Sequence, residues 1–488
     1  MPQDVRLIVS LDVGTSSVRT LVFDHRGRQQ EGFGQQIPYR IETTPDGGVE
    51  ADPDLILKLC VQCLAKTHSQ LKSKPAGIAF DTFWHSFLGV DRHGKPTTPI
   101  VHLFDTRSTG EAAELARKLD PKQVHARTGC NLHPSYWPAK LVWLSRHRKH
   151  MFKATDRWMS FGEYLFLKLF GSATASTSMV SASGLWNQVR NHYDEDVLAA
   201  LPIEGRQLAP VAGMDDPQSE LIGAYKKQWP LFEGIPWYPA LGDGACNNIG
   251  SGCTSHDLFA LMVGTSGAMR AVIKSDKVKI PPGLFCYRVD RKRFVLGGAL
   301  SNGGDVYAWL RRTLLLPDPT ELERTLSKSK PGSHGMIVLP FFAGERSPYW
   351  RPDLRGAITG LNLSTTAVEI LQVALESVSL RFREIFGLMV SSLGQPKHVI
   401  SSGGALRASP AWTQMMADAI GVQVQPCLEP EATSRGAVLL ASERLGLIGD
   451  VSLMPFKKGT IRKARAHNTR IYEEMLAGQR DLYDRLFN

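Results

Sequence analysis

The phrase Val-Gly-Thr-Ser occurs twice in this chain, at residues 13–16 and again at 263–266, each time within the same local pattern. An apolar, β-branched run enters the small-residue turn and an alternating run leaves it, with Arg19 three residues beyond the first copy and Arg270 four beyond the second. That pattern predicts a strand, a turn and a returning strand. Local turn chemistry gives no reason for the flanking strands to recur too, so the repeat predicts two similar lobes.

A turn of Gly, Thr and Ser brings backbone N–H groups and hydroxyls close to phosphate oxygens, because no bulky side chain intervenes. Two such turns suit one polyphosphate held between them. The repeat is chemically asymmetric: Asp12 precedes the first turn, a carboxylate that a hard cation such as Mg²⁺ would accept as ligand, and Met262 takes the corresponding place in the second.

At 488 residues, with 43% hydrophobic and 21% charged side chains, the chain is long enough for two or three domains with ordinary cores. No apolar run reaches about 18 residues, and the first residues lead directly into a strand, so a cytoplasmic protein without membrane contact is expected. The seven cysteines are scattered and do not form a disulfide pattern; Cys60 and Cys63 have zinc-like spacing but lie in an apolar-periodic helix with no second pair, which predicts core thiols. A net charge of +10 and a pI near 9.2 permit anionic small molecules. The basic runs at 146–149 and 457–470 lack the interleaved aromatics of a nucleic-acid surface.

Along the chain, residues 52–71 read as an amphipathic helix, 77–80 as a buried strand, and 111–119, 139–147 and 161–170 as further helices. Residues 171–183 read as a small-residue loop. The second half predicts strands at 294–300 and 335–340, helices at 305–315 and from 366 to about 390, and a strand at 399–402 running into glycines ahead of a helix at 410–420. A strand meeting glycines at a helix start suits a nucleotide. The organisation is α/β, with lobes expected at 1–245 and 246–488.

Six stretches, in order, resemble the FGGY family of carbohydrate kinases, within the actin, hexokinase and chaperone ATPase superfamily. They are Leu11 to Ser17, Gly242-Asp243-Gly244, Val263 to Ser266, Gly297 to Gly304, Gly344 to Pro348, and Ser402 to Ala405. The resemblance implies two ribonuclease-H-like lobes around a cleft, with sugar bound mainly by the first and ATP mainly by the second. It implies Asp243 as the base that takes the sugar hydroxyl proton and Asp12 as the residue that places Mg²⁺. Thr15, Ser16 and Ser17 would face the transferring phosphoryl group, Gly264, Thr265 and Ser266 the other phosphates, and Gly304, Gly403, Gly404 and Ala405 the rest of the nucleotide.

Within the family, residues 85–91, 105–108, 133–134, 243–250 and 339–346 look most like bacterial gluconate kinases. This makes His85, Asp105 and Arg107 sugar contacts, with Arg107 orienting Asp105 and attracting a carboxylate. Phe80-Asp81-Thr82-Phe83-Trp84 departs from that branch, where a small, serine-rich stretch is expected, and its aromatics would reshape the pocket. Gluconate is therefore the leading acceptor and a pentulose such as xylulose or ribulose the alternative. An actin- or chaperone-like ATPase and a sugar-binding regulator are the rivals outside sugar phosphorylation. A monomer or homodimer is expected.

Overall fold

The computed structural model describes residues 5–487, and its two largest sheets repeat one topology. In the first, the strands run Leu241–Gly242, Gly77–Thr82, Leu7–Val13, Ser17–Asp24 and Gln35–Pro38 from edge to edge. In the second, Val424–Pro426, His398–Ser402, Leu258–Val263, Gly267–Lys274 and Arg293–Leu300 follow in the same sense, with Phe285–Arg288 added at the far edge. Each sheet thus has an antiparallel hairpin at its centre and parallel partners on one side. The two predicted hairpins are these central pairs.

Local chemistry explains the flanking helices. Asp52 caps the helix Pro53–Gln70 by accepting from the Asp54 and Leu55 N–H groups at 2.9 and 3.2 Å, and Pro53 supplies a fixed φ where no donor is needed. Its buried stripe, including Cys60 and Cys63, packs under the first sheet; all seven cysteines are buried and free. Helices Phe161–Phe170 and Pro410–Ile420 have the bounds the pattern predicted. The stretch 171–183 is more ordered than its small residues suggested: Ala175–Ser176 pairs with Val211–Ala212, and Thr177–Ser181 forms a turn of helix.

Two helices tie the lobes together, Asp243–Gly250 leaving the first sheet and Ala432–Arg444 returning from the second half of the chain. They cross at a reciprocal pair of glycines. A Cβ at Gly250 would lie 1.7 Å from the Ala432 carbonyl oxygen, and one at Gly436 would lie 1.9 Å from the Cys246 carbonyl oxygen, so backbone touches backbone. Beyond the crossing, Ala437 to Ala441 pack into the core of the first lobe. Part of the second half of the chain thus supplies apolar cover to the first sheet.

Candidate active site

The parallel strands of the first sheet end in acids. Asp12 stands in register with Asp81 on the neighbouring strand, and Leu241, on the next, leads directly into Asp243. Asp12 is 2% exposed. Its Oδ2 accepts from Arg19 Nε at 2.9 Å and from Ser434 Oγ at 3.0 Å. Oδ1 is turned toward the first turn, 3.8 Å from where a Gly14 Cβ would be. Arg19 also donates to Glu431 at 2.6 Å, so the hairpin is fastened to the start of the returning helix.

Gly242 and Gly244 have a steric purpose. A Cβ at Gly242 would fall 1.8 Å from the Trp84 ring, and one at Gly244 would meet Trp84 at 2.7 Å and the Arg270 guanidinium carbon at 3.2 Å. Asp243 is thereby set between an indole and an arginine. Burial pushes its carboxyl up to about 6, against the opposing pull of Arg270 and the Gly244 N–H. Arg270 itself has Nε and Nη1 buried with no partner among the described residues. Burial brings it down to about 10 while Asp243 pulls the other way.

A small cavity of about 30 Å³ opens next to Arg270, lined also by Trp84, His85, Tyr136, Tyr287 and Arg346. His85 has φ +66°, uncommon for a residue with a side chain. Its Nδ1 lies 2.6 Å from the Ala182 carbonyl oxygen; a carbonyl only accepts, so Nδ1 carries the proton and Nε2 is an acceptor. Burial lowers His85 to about 3, which keeps it neutral. Arg346 donates to the Leu300 carbonyl at 2.6 Å, and burial lowers it too. No acidic side chain lines the cavity.

Asp105 and Arg107 do not line it either. Asp105 accepts from the Val49 N–H at 3.1 Å and from the guanidinium of Arg107, which also binds Glu50 and lies 4.4 Å over the Trp143 ring. The pair is satisfied internally. Lys140 links it to the cavity wall by donating to the carbonyls of His102 at 2.6 Å and Ser135 at 3.3 Å. Of the two aromatics that break the expected small-residue stretch, Trp84 reaches the cavity and Phe83 is core.

On the other side, three glycine segments converge. The Gly304 N–H donates to the Gly264 carbonyl at 2.8 Å, and a Cβ at Gly304 would lie 2.5 Å from that oxygen and 3.0 Å from Ala405 Cβ. Gly403, at φ +93°, lies against the Val263 backbone. Cβ atoms at Gly264 and Gly404 would point into open space, and Thr265 is exposed beside them, which leaves a shallow cradle for a phosphate chain. Ser266 closes the turn as a carbonyl acceptor for the Gly264 N–H. In the first turn Thr15 and Ser16 are exposed; Ser17 is buried and its hydroxyl accepts from Gln36 at 2.9 Å.

Sequence reasoning passed over Glu431, Ser434 and Lys140, whose partners are distant in the chain, and gave Arg346 no role although it quoted the motif around it. Asp81 had a legible signal, an acid inside an apolar strand.

Two similar lobes, acids at the strand ends and a glycine cradle define a phosphotransferase of the actin and hexokinase type. Residues 7–250 match the N-terminal domain of the FGGY family of carbohydrate kinases and residues 259–443 its C-terminal domain. The chain belongs to that family. Among its relatives is the gluconokinase of Bacillus subtilis (strain 168), 28% identical over 459 residues and covering 90% of this chain and 88% of that one. A gluconate kinase from Lactobacillus acidophilus superposes with a TM-score of 0.91 at 25% identity, over 99% of this chain and 98% of that one. A ligand-bound xylulose kinase from the same organism gives 0.90 at 25% identity, over 98% of each.

Proposed function

We propose that this carbohydrate kinase phosphorylates a terminal hydroxyl of an open-chain sugar acid, with gluconate giving 6-phosphogluconate. The observation that carries the reading is the charge of the cavity beside Asp243. Arg346 faces it with no lining carboxylate to balance it, His85 is neutral, and the charge of Asp243 is already drawn on by Arg270. An acid substrate supplies the missing charge, whereas a ketose leaves a guanidinium buried and unpaired. This moves the carboxylate partner from Arg107, already bound to Asp105 and Glu50, to Arg346.

In the step itself, the sugar oxygen forms a bond to the γ-phosphorus of ATP and the bond from that phosphorus to the oxygen of departing ADP breaks. Asp243 takes the hydroxyl proton. A base near 6 is ionised at neutral pH yet basic enough to accept it. Arg270, with unpartnered N–H groups next to Asp243, meets charge developing on the phosphoryl oxygens. Gly264, Thr265, Ser266, Gly304, Gly403, Gly404 and Ala405 hold the nucleotide, and Thr15 and Ser16 cover the transferring group. Asp12 Oδ1, free of the two donors on Oδ2, fits a Mg²⁺ ion. Bound there, Mg²⁺ would offset the negative charge of the phosphates during transfer. His85 Nε2 accepts from a sugar hydroxyl. The cavity is small and lined from both halves of the chain, so the lobes part for sugar to enter and close again to exclude water.

The test is ADP release with MgATP and gluconate, xylulose, ribulose, ribitol, glycerol or no sugar, for the wild type and Arg346→Met. Gluconate should give the highest kcat/KM, and Arg346→Met should lower it about 30-fold or more, in keeping with the ~2–3 kcal/mol of a charge-assisted hydrogen bond. Preference for a ketose, unaltered in Arg346→Met, would overturn the sugar-acid reading and leave a pentulose kinase.

A further inference from the structure

Asp81 has no part in the scheme above, yet it stands on the strand between those that carry Asp12 and lead to Asp243. Register partners on adjacent strands share a face, so its carboxyl lies beside that of Asp12, and the charges of both Asp12 and Asp243 act on it. It is 0% exposed, and apart from the neighbouring Asp12 carboxyl no group reaches its oxygens among the described residues; burial pushes its carboxyl well up, and the bond to Asp12 acts in the same direction. Arg19, the nearest cation acting on it, is bound to Asp12 and Glu431. A carboxyl withdrawn from water beside a second acid is costly to keep ionised, so the pair holds a proton between them until a cation takes its place.

We propose that Asp81 is a second carboxylate ligand of the divalent cation held at Asp12. The inference rests on the Mg²⁺-ATP reading above. Asp12 offers one free oxygen and Asp81 two, on adjacent strands. The described residues include no cluster of three or more ligating side chains arranged as a cage. A pair is what a kinase cation needs, because Mg²⁺ keeps waters and takes its other ligands from phosphates. The same pairing explains why an acid is tolerated at the end of a strand that is otherwise Gly77, Ile78, Ala79, Phe80 and Thr82, all buried.

The experiment titrates Mn²⁺ into the protein with ADP present, reading free Mn²⁺ by its electron paramagnetic resonance, for wild type, Asp81→Asn and the smaller Asp81→Ser. Mn²⁺ affinity should fall at least tenfold in the variants. ADP affinity without metal should stay within twofold, and the metal-free melting temperature should not fall. Mn²⁺ affinity within twofold of wild type in whichever variant folds overturns the proposal, as does a lowered metal-free melting temperature with unchanged Mn²⁺ binding, which assigns Asp81 to bracing Asp12. Wild-type protein that binds ADP but no Mn²⁺ overturns it together with the metal at Asp12; loss confined to the variants' Mn²⁺ binding leaves the choice of sugar untouched.

Discussion

In the first hairpin Arg19 faces Asp12 across the ladder, one rung behind the turn. In the second hairpin that rung joins Met262 to Ala268, and Arg270 lies two rungs farther back, opposite Ala260. The turns differ as well: the pair Val13–Val18 closes the first and Val263–Gly267 the second, which is one residue shorter. The consequence is electrostatic. Arg19 has an acid on each side and brings no net positive charge to the cleft, so its hairpin suits a cation. Arg270 has buried N–H groups without partners among the described residues, so its hairpin suits an anion. A repeated backbone thus presents opposite charge at its two turns once the arginine is set back by two rungs.

The sharpest test removes the acid that Arg270 faces. Asp243→Asn should lower kcat about 10³-fold or more, with ATP and sugar affinities by calorimetry within about tenfold, because a positioned base acts in the transition state. Near-normal turnover would take Asp243 out of the role. Next, Arg270→Met should cost about 10²–10³ in kcat, as loss of a preorganised donor does. Arg19→Met should instead raise the KM for MgATP about tenfold with a smaller loss of kcat, because it loosens Asp12 rather than the phosphoryl group. Equal losses in kcat would erase the contrast between the hairpins.

Met262→Asp gives the second turn the acid of the first; repulsion of the phosphates should weaken MgATP binding about tenfold in a direct titration. The smallest effects are in pH. Activity should fall about tenfold per unit below pH 6 as Asp243 takes up a proton. Because its folded pKa is raised, the fold binds that proton more tightly than the unfolded chain. Stability from this group is therefore present below pH ~4 and lost as pH rises to about 6. Asp243→Asn should accordingly be more stable by about 1–3 kcal/mol in urea at pH 8, and an unchanged midpoint would contradict the burial of this carboxylate.

What the sequence discloses here is what repeats or alternates locally. The hairpins, the helices Phe161–Phe170 and Pro410–Ile420, and the glycines around Asp243 follow from period and turn chemistry. The turn of helix at Thr177–Ser181 was hidden because Ala, Ser and Thr carry little periodic signal. In the site, Asp12 and Asp243 are marked by the small residues beside them. Arg19 and Glu431 are 412 positions apart, and no local pattern announces such a pair. Asp105 and Arg107 look like free polar groups in the sequence, and only packing shows that Val49, Glu50 and Trp143 already occupy them.

The helix Ala432–Arg444 has a bearing on how this protein is made. It packs on the strands Leu7–Val13 and Gly77–Thr82, which are synthesised well before it, and Ala437 to Ala441 belong to their core. The face of the first sheet that this helix covers therefore stays bare until residue 444 has been synthesised, although the helix Pro53–Gln70 can already pack against the sheet. Translation that stalls after residue 250 yields an open sheet with a bare seat for Val438 and Leu439, a species prone to aggregate rather than half an enzyme. Folding and chain completion are tied together by the same helix that passes the catalytic cleft.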